Sequence, residues 1–579
     1  MGNRLFLVLF IAALFAVACA PASQADDDDD GATDGDTDGD GDADADGDAD
    51  CEPGELWCLD TTWVVQCNDS GGWDTIEDCS VQDLLCAAGE CVDTSYACAA
   101  AINEKSYIGC EYYAVTLANG VDAMNFAFAV AIANAGSEAT TIEITDGPGG
   151  IYDTTQTVPG DEMLVMNLPW KLPIKQPGTF ATSEWFTRKV ANATYRITSD
   201  RPVTVYQFSP LNYESSGTYS YTNDASLLLP VHVYRDEYIA ISRPTLKVDS
   251  MGSDPGYLAV VGPAAGSSTV EITTSAYTTA SDDTSNATFQ AQNPGGTFQV
   301  TVEPFEVFQL LTATESGCTG STVCASGAFY CCNTPATYDL TGTEIRVVAG
   351  RNPAVFSGTD CSFIPFDKWA CDHLEQQLFP RETWGTKYVC GRNETQATGE
   401  PTVWRVISGT DGNQIEFNPA VHATVTLDRG EFVEFECLSD FVVEGTGRVA
   451  VAQFLVGQNY TSDYEPPLNG DPAMALAVPV EQYRRDYTFL TPDTYVKNYL
   501  TVIHGAGAYP TLDGNSLLGQ GYTVDIDGEW AKTNLEIPSG IHYIESPDPF
   551  AIMVYGVGSY TSYMYPGGLD LSKVSVVVE

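Results

Sequence analysis

At 579 residues the chain is too long for one hydrophobic core, and about 150 residues per domain predicts three or four domains. The formal net charge of -54 argues against a nucleic-acid ligand and against adhesion of the protein body to anionic lipid, since both would be repelled. Many Val, Thr, Tyr and Phe residues with frequent Gly and Pro favour an all-β protein.

The N-terminus is predicted to carry an export signal. Residues 1–18 hold a single positively charged side chain, Arg4, followed by an apolar run from Leu5 to Val17. That run is too short to cross a bilayer as a mature helix and is typical of a signal peptide.

Cys19 is the predicted lipidation site. It ends the run Phe15-Ala16-Val17-Ala18-Cys19, which resembles a bacterial lipobox with Ala16 at the position where Leu is usual. The alternative is ordinary cleavage that leaves Cys19 unmodified. Ala20, rather than Asp, after the cysteine indicates the outer membrane. We therefore predict an exported outer-membrane lipoprotein at the cell surface of a Gram-negative bacterium.

Residues 19–50 are predicted to form a lipidated, acidic, disordered stalk, because Asp, Gly, Ala and Thr offer no side chain large enough to build a core. Two pieces match the first half of a calcium loop, and their carboxylates are Asp34, Asp36, Asp38, Asp42, Asp44 and Asp46. The bidentate Glu at the twelfth position is missing, since Ala45 and Pro53 stand there. The interpretation is a tether that binds Ca²⁺ only weakly, and no other cofactor is predicted.

Cysteine usage predicts a disulfide framework. Of 17 cysteines, Cys19 belongs to the lipobox, and an even 16 remain for up to eight bridges. These candidates are Cys51, Cys58, Cys67, Cys79, Cys86, Cys91, Cys98, Cys110, Cys318, Cys324, Cys331, Cys332, Cys361, Cys371, Cys390 and Cys437. Residues 51–110 form the predicted Cys-rich module, in which we expect Cys98 and Cys110 to close a separate loop. The irregular spacing and absence of nearby histidine disfavour zinc.

The remainder repeats one pattern four times. The stretch from Tyr195 to Leu229 contains an alternating strand, a break at Pro202, a second strand and an Asn-Asp pair before an apolar run. Weaker copies lie at residues 344–356, 441–454 and 543–555. The predicted fold is therefore tandem β-sandwich-like units at 111–230, 231–380, 381–479 and 480–579. A large-bladed β-propeller is the alternative.

A second recurring piece has the form strand, Gly-rich turn, strand. It occurs at residues 126–146, 257–273, 403–417 and 499–512. Each copy is predicted to be a β-hairpin, since Gly supplies the positive φ that tight turns require.

The segments YRITSDRPVTVYQFSPL, NDASLLLP, ACDHLEQQLFP and SYMYPGGLDL resemble the IgGFc-binding protein N-terminal domain family, which includes exported bacterial lipoproteins. The resemblance covers residues 106 to the C-terminus. It implies an extracellular binding role and supplies no catalytic motif. Binding of antibody is not implied for a bacterial member.

Four recurring aspartates could serve as metal ligands or as caps. Asp200, Asp224, Asp372 and Asp471 lie at strand edges, where carboxylates can bind Ca²⁺ or accept backbone N–H bonds. A second carboxylate at fixed spacing is lacking, so capping is predicted.

Two cysteine motifs suggest chemistry but have plainer interpretations. In Cys371-Asp372-His373 an extended chain would point Asp372 away from its neighbours, so the three could not converge on a substrate. Cys371 is expected to pair with Cys361. The adjacent Cys331 and Cys332 are expected to form two separate bridges rather than a strained vicinal one. No motif of a hydrolase, nucleotide or metal enzyme is present.

Tyrosine is the remaining feature, with 30 residues. One group, in a loop rich in Ser and Asn, contains Tyr213, Tyr219 and Tyr221, and a second contains Tyr560, Tyr563 and Tyr565. Such rings either bind sugars and proteins or line strands.

The predicted function is a non-catalytic, surface-anchored binding or adhesion protein whose partner is an extracellular protein or glycan. Two alternatives stay open. One is a structural envelope lipoprotein without a specific ligand, and the other is an extracellular hydrolase with a site assembled across units.

Overall fold

The computed structural model describes residues 20–21, 53–68, 70, 72–82, 84–176, 184–249, 252–282, 285–318, 320–325, 329–394, 399–460 and 470–574. The predicted signal peptide, Cys19, the calcium-loop candidates and Cys51 lie outside these ranges. Within them the chain is dominated by β-strands, which confirms the all-β fold class. No helix in the described ranges is long and apolar enough to cross a bilayer.

The Cys-rich module is built from short strands and one helix. Its strands are Leu56–Cys58, Trp63–Cys67, Trp73–Asp78, Leu85–Ala87 and Glu90–Val92, with a 3-10 turn at Cys79–Gln82 and an α-helix at Tyr96–Glu104. The helix begins after Ser95, whose hydroxyl accepts a bond from the backbone N–H of Cys98. Because so little apolar area is buried, cross-links hold this module together.

Six disulfides join described residues. They are Cys58–Cys86, Cys79–Cys91, Cys98–Cys110, Cys318–Cys332, Cys324–Cys331 and Cys361–Cys371. Cys67 and Cys437 are disulfide-bonded as well. Cys390 departs from the predicted framework, because it carries a free, buried thiol. It packs in the same apolar core as Cys437, which is bonded to a different cysteine.

Four units follow, each made of two antiparallel sheets. We call the sheet whose last strand lies at the centre of the molecule the inner sheet, and the other the outer sheet. In unit 1 the outer strands are Gly109–Val115, Thr140–Thr145 and Asp153–Val158, the inner strands are Phe128–Asn134, Glu162–Leu168 and Ala225–Leu228, and Thr194–Phe208 belongs to both. In unit 2 the outer strands are Glu237–Ile239, Ser268–Thr273, Thr297–Val302 and Glu344–Gly350, and the inner strands are Arg188–Val190, Gly256–Val261, Val307–Leu311, Ala354–Phe363 and Cys371–Gln377.

Units 3 and 4 have the same plan. In unit 3 the outer strands are Lys387–Cys390, Asn413–Asn418, Val425–Leu427 and Phe441–Gly445, and the inner strands are Ala20–Pro21, Thr402–Ser408, Phe432–Cys437, Val449–Phe454 and Met474–Leu476. In unit 4 the outer strands are Arg484–Thr491, Thr511–Leu512 and Asn515–Ser516, the inner strands are Lys497–Gly505, Tyr522–Asp525, Trp530–Ile537 and Thr561–Pro566, and Gly540–Gly558 belongs to both.

The shorter elements lie at the connections. A small sheet beside unit 2 contains Leu246–Val248, Gly252–Asp254, Ser321–Ala325 and Phe329–Cys332, and a two-stranded ribbon in unit 1 pairs Glu214–Ser215 with Thr218–Tyr219. A helical turn spans Leu172–Lys175, and 3-10 turns span Val231–Val233, Ala336–Tyr338, Arg381–Thr383 and Val480–Gln482. Three of these turns follow Pro230, Pro380 and Pro479, where the sequence analysis placed unit boundaries.

The expected hairpins are absent from the described strand pairs. In unit 1, Phe128–Asn134 pairs with Glu162–Leu168 in the inner sheet, whereas Thr140–Thr145 pairs with Asp153–Val158 in the outer sheet. The Gly-rich turn therefore carries the chain from one sheet to the other. The prediction was wrong because a tight turn permits an arch between sheets as readily as a hairpin within one.

Ala20 and Pro21 differ from the predicted stalk. They pair with Glu436 and Phe435 at the edge of the inner sheet of unit 3. Arg188–Val190 makes the corresponding addition to the inner sheet of unit 2, although it lies within the predicted bounds of unit 1. Edge strands thus tie distant parts of the chain to the units.

The last strand of each inner sheet lies at the centre of the molecule. We call these axial strands β1 (Ala225–Leu228), β2 (Cys371–Gln377), β3 (Met474–Leu476) and β4 (Thr561–Pro566). Each contacts the next, and β4 contacts β1, so the four units close into a ring. The arrangement confirms sandwich-like units and adds radial closure, the feature that made a propeller the alternative. One apolar core extends through all four units.

Candidate functional site: an aromatic cavity at the ring axis

Asp224 organises the centre of the ring. Its carboxyl group accepts backbone N–H bonds at the four axial strands, from Ala225 at 2.9 Å and from Glu375, Met474 and Met564 at 3.2 Å each. Every axial strand thus contributes one donor. Sequence pattern predicted a capping role for this residue, and the structure extends that role across the whole ring.

Two further buried carboxyls lie beside it. Asp372 accepts bonds from the backbone N–H groups of Asn223, His373 and Ser562, so it joins β1, β2 and β4. Asp471 Oδ1 accepts from the backbone N–H of Gln458 at 3.2 Å. Burial, and then the neighbouring Asp471, raise the pKa of Asp372 well above its ordinary value. Burial also raises the pKa of Asp471 to about 8.

A cavity of about 310 Å³ opens next to Asp471, and we call it the axial cavity. It is lined by Tyr221, Phe363, Trp369, Ala370, Cys371, Asp471 and Tyr560. Four of these seven residues are aromatic, and Cys371 is held by its disulfide to Cys361. A mainly apolar cavity with one convergent polar group is the usual form of a binding site.

The rim unites the two tyrosine groups singled out in the sequence. The rings of Tyr219 and Tyr221 have centroids 5.8 Å apart, and those of Tyr221 and Tyr560 are 6.3 Å apart. Behind them, Tyr213 contacts Tyr495, which contacts Tyr563 with centroids 4.7 Å apart. Aromatic side chains from units 1 and 4 therefore form one continuous cluster that runs from the surface into the core.

Both rim tyrosines adopt left-handed backbone conformations. Tyr221 has φ of 53° and Tyr560 has φ of 54°, values that bulky residues rarely adopt. Half of the Tyr221 side chain is exposed, so core packing does not account for its identity. Strain of about 1 kcal/mol per residue at rings that stand at the surface is typical of positions kept for binding.

The inner end of the axial cavity is electrostatically incomplete. Asp471 is fully buried, and its Oδ2 has no hydrogen-bond partner among the described residues. A buried carboxyl without full compensation favours its neutral form, in agreement with its raised pKa. A positive charge in the adjoining cavity would stabilise the ionised form of this buried carboxyl through its electric field.

A second cavity of about 460 Å³ lies between units 2 and 3 and shares Phe363 with the axial cavity. Arg405 is buried there and contacts Asp339 at 2.8 Å and Glu434 at 2.8 Å. Arg243 forms a third ion pair, with the same Glu434. Because the two arginines balance the two carboxylates, these ion pairs give the cavity little net charge.

The remaining sequence candidates have structural roles. Asp200 accepts bonds from Thr140 Oγ1 at 2.7 Å and from the backbone N–H of Thr141 at 2.8 Å, a cap that connects two strands. His373 is buried, and its Nε2 lies 3.4 Å from Glu375 Oε2. Cys371 is oxidised, so Cys371, Asp372 and His373 form no nucleophilic site. Among the described residues no group of three or more Asp, Glu, His or Cys could hold a metal ion.

Sequence reasoning missed Phe363, Trp369 and the Arg405 network. Phe363 and Trp369 come from the end of an inner strand of unit 2 and the connection that follows it, and their ring centroids are 5.0 Å apart. Their only sequence signal is aromatic residues in a connection bounded by paired cysteines. Arg405 has a clearer signal, since it is a charged residue inside the apolar strand Thr402–Ser408.

These features define a class of protein: an extracellular-type, disulfide-stabilised ring of β-sandwich units with an aromatic cavity on its axis. A family model described as IgGFc binding protein matches residues 224–556, which is more than half of the chain, and the protein belongs to this family. It is 23% identical over 350 residues to the IgGFc-binding protein of Homo sapiens, an alignment that covers 59% of this chain and 6% of that relative. No solved structure matches the chain.

Proposed function

We propose that this protein is a non-catalytic binding protein of the cell exterior, which recognises an extracellular protein through the axial cavity and its tyrosine rim. The observation that carries the proposal is the rim itself: two strained tyrosines from units 1 and 4 stand beside a cavity in the centre of the ring. Membership of a family whose human relative is named for a binding activity supports the same class of function.

The size and lining of the cavity suit one inserted side chain rather than a whole ligand. A volume of about 310 Å³ accommodates a single large side chain, while the exposed rings of Tyr219 and Tyr221 offer area around it. A rigid aromatic anchor with a rim that excludes water is typical of protein–protein interaction sites. Antibody Fc is not part of the proposal, because the chain spans about 6% of the length of the human relative.

A binding role agrees with the chemistry of the site. The thiol of Cys371 is consumed in a disulfide, and the Nε2 atom of His373 faces Glu375 in the interior. The buried carboxyls of Asp224 and Asp372 are occupied by backbone N–H groups. These groups stabilise the ring and leave the aromatic side chains as the accessible surface of the site.

The test is saturable binding of the full chain to a panel of purified extracellular proteins and to a glycan array. Tyr221→Gly removes the ring at a position where glycine is comfortable, so the fold is retained. We expect at least one protein to bind and Tyr221→Gly to weaken it at least tenfold, whereas the exposed Tyr522→Ser, outside the cavity, leaves it unchanged. Binding to no protein, or binding that Tyr221→Gly leaves intact, would overturn the proposal. Capture by glycans alone would do so too.

We further propose that Cys19 carries a lipid that anchors the protein to the outer membrane. The lipobox-like run before Cys19 supports this. Because Ala20 and Pro21 pair with the edge of unit 3, the anchor would hold that edge close to the bilayer.

Incorporation of an alkyne-labelled fatty acid in a Gram-negative host tests the anchor. We expect labelling of the wild type and none of Cys19→Ala. Ala20 pairs with Glu436, and the next residue, Cys437, is oxidised, so the competing hypothesis is a disulfide between Cys19 and Cys437. Peptide mapping of the mature protein distinguishes the two. A Cys19–Cys437 disulfide in the mature protein would overturn the anchor.

A further inference from the structure

We propose that the axial cavity accepts a positively charged ammonium group, carried by a lysine side chain of a basic partner protein. The inference rests on the proposed function and names the ligand chemistry of the same site. It follows from three properties of the cavity: its aromatic lining, its uncompensated carboxyl and the charge of the whole chain.

The aromatic lining is suited to a cation. Tyr221 with Tyr560 and Phe363 with Trp369 are two pairs of touching rings, with centroids 6.3 and 5.0 Å apart. The face of an aromatic ring carries partial negative charge and attracts an ammonium group within about 6 Å. None of the seven residues that line the cavity is basic.

The same chain already places cations over rings elsewhere. Lys105 Nζ lies 3.9 Å from the ring centroid of Trp57, and Lys368 Nζ lies 5.5 Å from that of Tyr460. The axial cavity is lined by four aromatic residues. A cation supplied by a partner would complete it in the same way.

The carboxyl at the inner end adds a charge of the correct sign. Asp471 is fully buried, and its Oδ2 lacks a hydrogen-bond partner among the described residues. Ionisation of this group is costly while nothing compensates it, and a nearby cation removes that cost. Cation binding and ionisation of Asp471 are therefore expected to favour each other.

Long-range electrostatics favour the same occupant. The chain has 79 acidic and 25 basic side chains, for a net charge of -54. A field of this sign concentrates basic partners at the surface and repels acidic ones. A hydrated metal ion fits less well, because four of the seven lining residues are aromatic and offer no carboxylate ligand.

Binding of a cation in the axial cavity should be coupled to the release of a proton from the buried acidic groups beside it. Asp471 shares the centre of the ring with Asp372 and Asp224, and Tyr495 contacts the same cluster. Burial holds the pKa of all four groups above ordinary values. An ammonium group that enters near neutral pH is expected to release a proton from this cluster, most readily from Asp471, whose pKa is about 8.

Isothermal titration of the full chain with small probes tests the inference. The probes are choline, its uncharged isostere 3,3-dimethylbutan-1-ol, Nα-acetyl-lysine methylamide and methyl β-glucoside. We expect choline and the lysine derivative to bind at least tenfold more tightly than the isostere and the sugar. The heat of choline binding, measured in buffers of different ionisation enthalpy, should show that a proton is released. The affinity for choline should rise between pH 6 and pH 9. Asp471→Asn should reduce the preference for cations to what the aromatic rings alone provide, and Tyr522→Ser should leave it unchanged.

Each other result overturns the inference. Equal affinity for choline and its isostere would make the cavity merely apolar, and preference for the glucoside would make it a sugar site. No binding of either cation would exclude the cation site outright. The lysine inference and the proposed function can be tested separately. If Tyr221→Gly abolishes protein binding but excess choline does not compete with the bound protein, the proposed function stands and only the lysine inference is wrong.

Discussion

Asp224 Oδ1 accepts a hydrogen bond from the backbone N–H of Met564 at 3.2 Å, although the two residues are 340 positions apart. The bond joins unit 1 to unit 4, and with the bonds from Glu375 and Met474 it closes the ring. One side chain thus satisfies a backbone donor in every unit. Asp224 is fully buried and its carboxyl accepts these four N–H bonds, so all four units depend on this one residue.

Asp224→Ala should therefore destabilise the body as a whole. The substitution leaves four buried N–H groups without an acceptor, and we expect a loss of about 3 kcal/mol or more in the free energy of unfolding. Asp200→Ala is the matched control, because Asp200 caps exposed backbone and should cost about 1 kcal/mol. Denaturant unfolding followed by tryptophan fluorescence measures both. A smaller loss for Asp224→Ala than for Asp200→Ala would contradict the central role.

The buried carboxyls should make the protein less stable as pH rises. Burial raises the pKa of Asp471 from 3.8 to about 8, so the folded state holds a proton that the unfolded state releases above pH 4. The stabilisation is complete below pH 4 and is lost as pH rises towards 8, with a slope of up to about 1.4 kcal/mol per pH unit for one group.

Thermal unfolding between pH 5 and 9 tests this prediction. The wild type should show a falling Tm, and Asp471→Asn, which cannot ionise, should show a shallower fall. General repulsion among surface carboxylates acts on both proteins equally, so the difference between them isolates Asp471. A Tm that rises across this interval, or equal slopes for the two proteins, would be inconsistent with the assignment.

Arg405 should be essential for the contact between units 2 and 3. It is 2% exposed and pairs with Asp339 and Glu434, so Arg405→Ala would leave the buried Asp339 without its cation and Glu434 with Arg243 alone. We expect a loss of about 3–5 kcal/mol. Arg346→Ala provides a control, because the ion pair of that arginine with Glu271 is largely exposed and should contribute less than about 1 kcal/mol. Equal effects of the two substitutions in urea unfolding would show that the buried network is not structural.

Cys390, which carries the one free thiol among the described cysteines, offers a simple check on the disulfide framework. Cys390 is buried, and burial raises the pKa of its thiol. A thiol reagent should therefore not modify Cys390 in the native protein. Unfolding without reductant should expose it. Peptide mapping of the alkylated protein identifies the site. Labelling of Cys390 in native protein, or its recovery in a disulfide, would contradict the structure.

The sequence predicted the sheets well and their connections poorly. The alternating patterns on either side of Pro202 correctly predicted β structure, because period-two patterning is local. The predicted break at Pro202 was wrong, since one strand, Thr194–Phe208, continues through it and serves both sheets. The arches were mistaken for hairpins, because a Gly-rich turn does not specify which partner a strand takes. Closure of the four units into a ring could not be predicted from the sequence either. The bonds of Asp224 join residues up to 340 positions apart, and no local pattern encodes them.

The candidate site shows the same division. Both tyrosine groups were evident from composition, yet their contact through Tyr221 and Tyr560 depends on β1 and β4 lying side by side. Trp369 gave only the weak signal of an aromatic residue in a connection bounded by paired cysteines, and such a residue has many possible roles. The left-handed φ of Tyr221 was also invisible, since Tyr carries no preference for that conformation.

That conformation leads to a prediction that separates binding from stability. Tyr221→Gly and Tyr221→Ala remove the same ring, but the φ of 53° at this position is unfavourable for alanine and not for glycine. The glycine variant should be more stable than the alanine variant by about 1 kcal/mol. At Tyr522, in the strand Tyr522–Asp525, the order should reverse, because glycine weakens strands. Thermal unfolding of the four variants measures both differences. Alanine as the more stable substitute at both positions would show that Tyr221 is not strained, and the argument that its ring is retained for binding would lose its energetic basis.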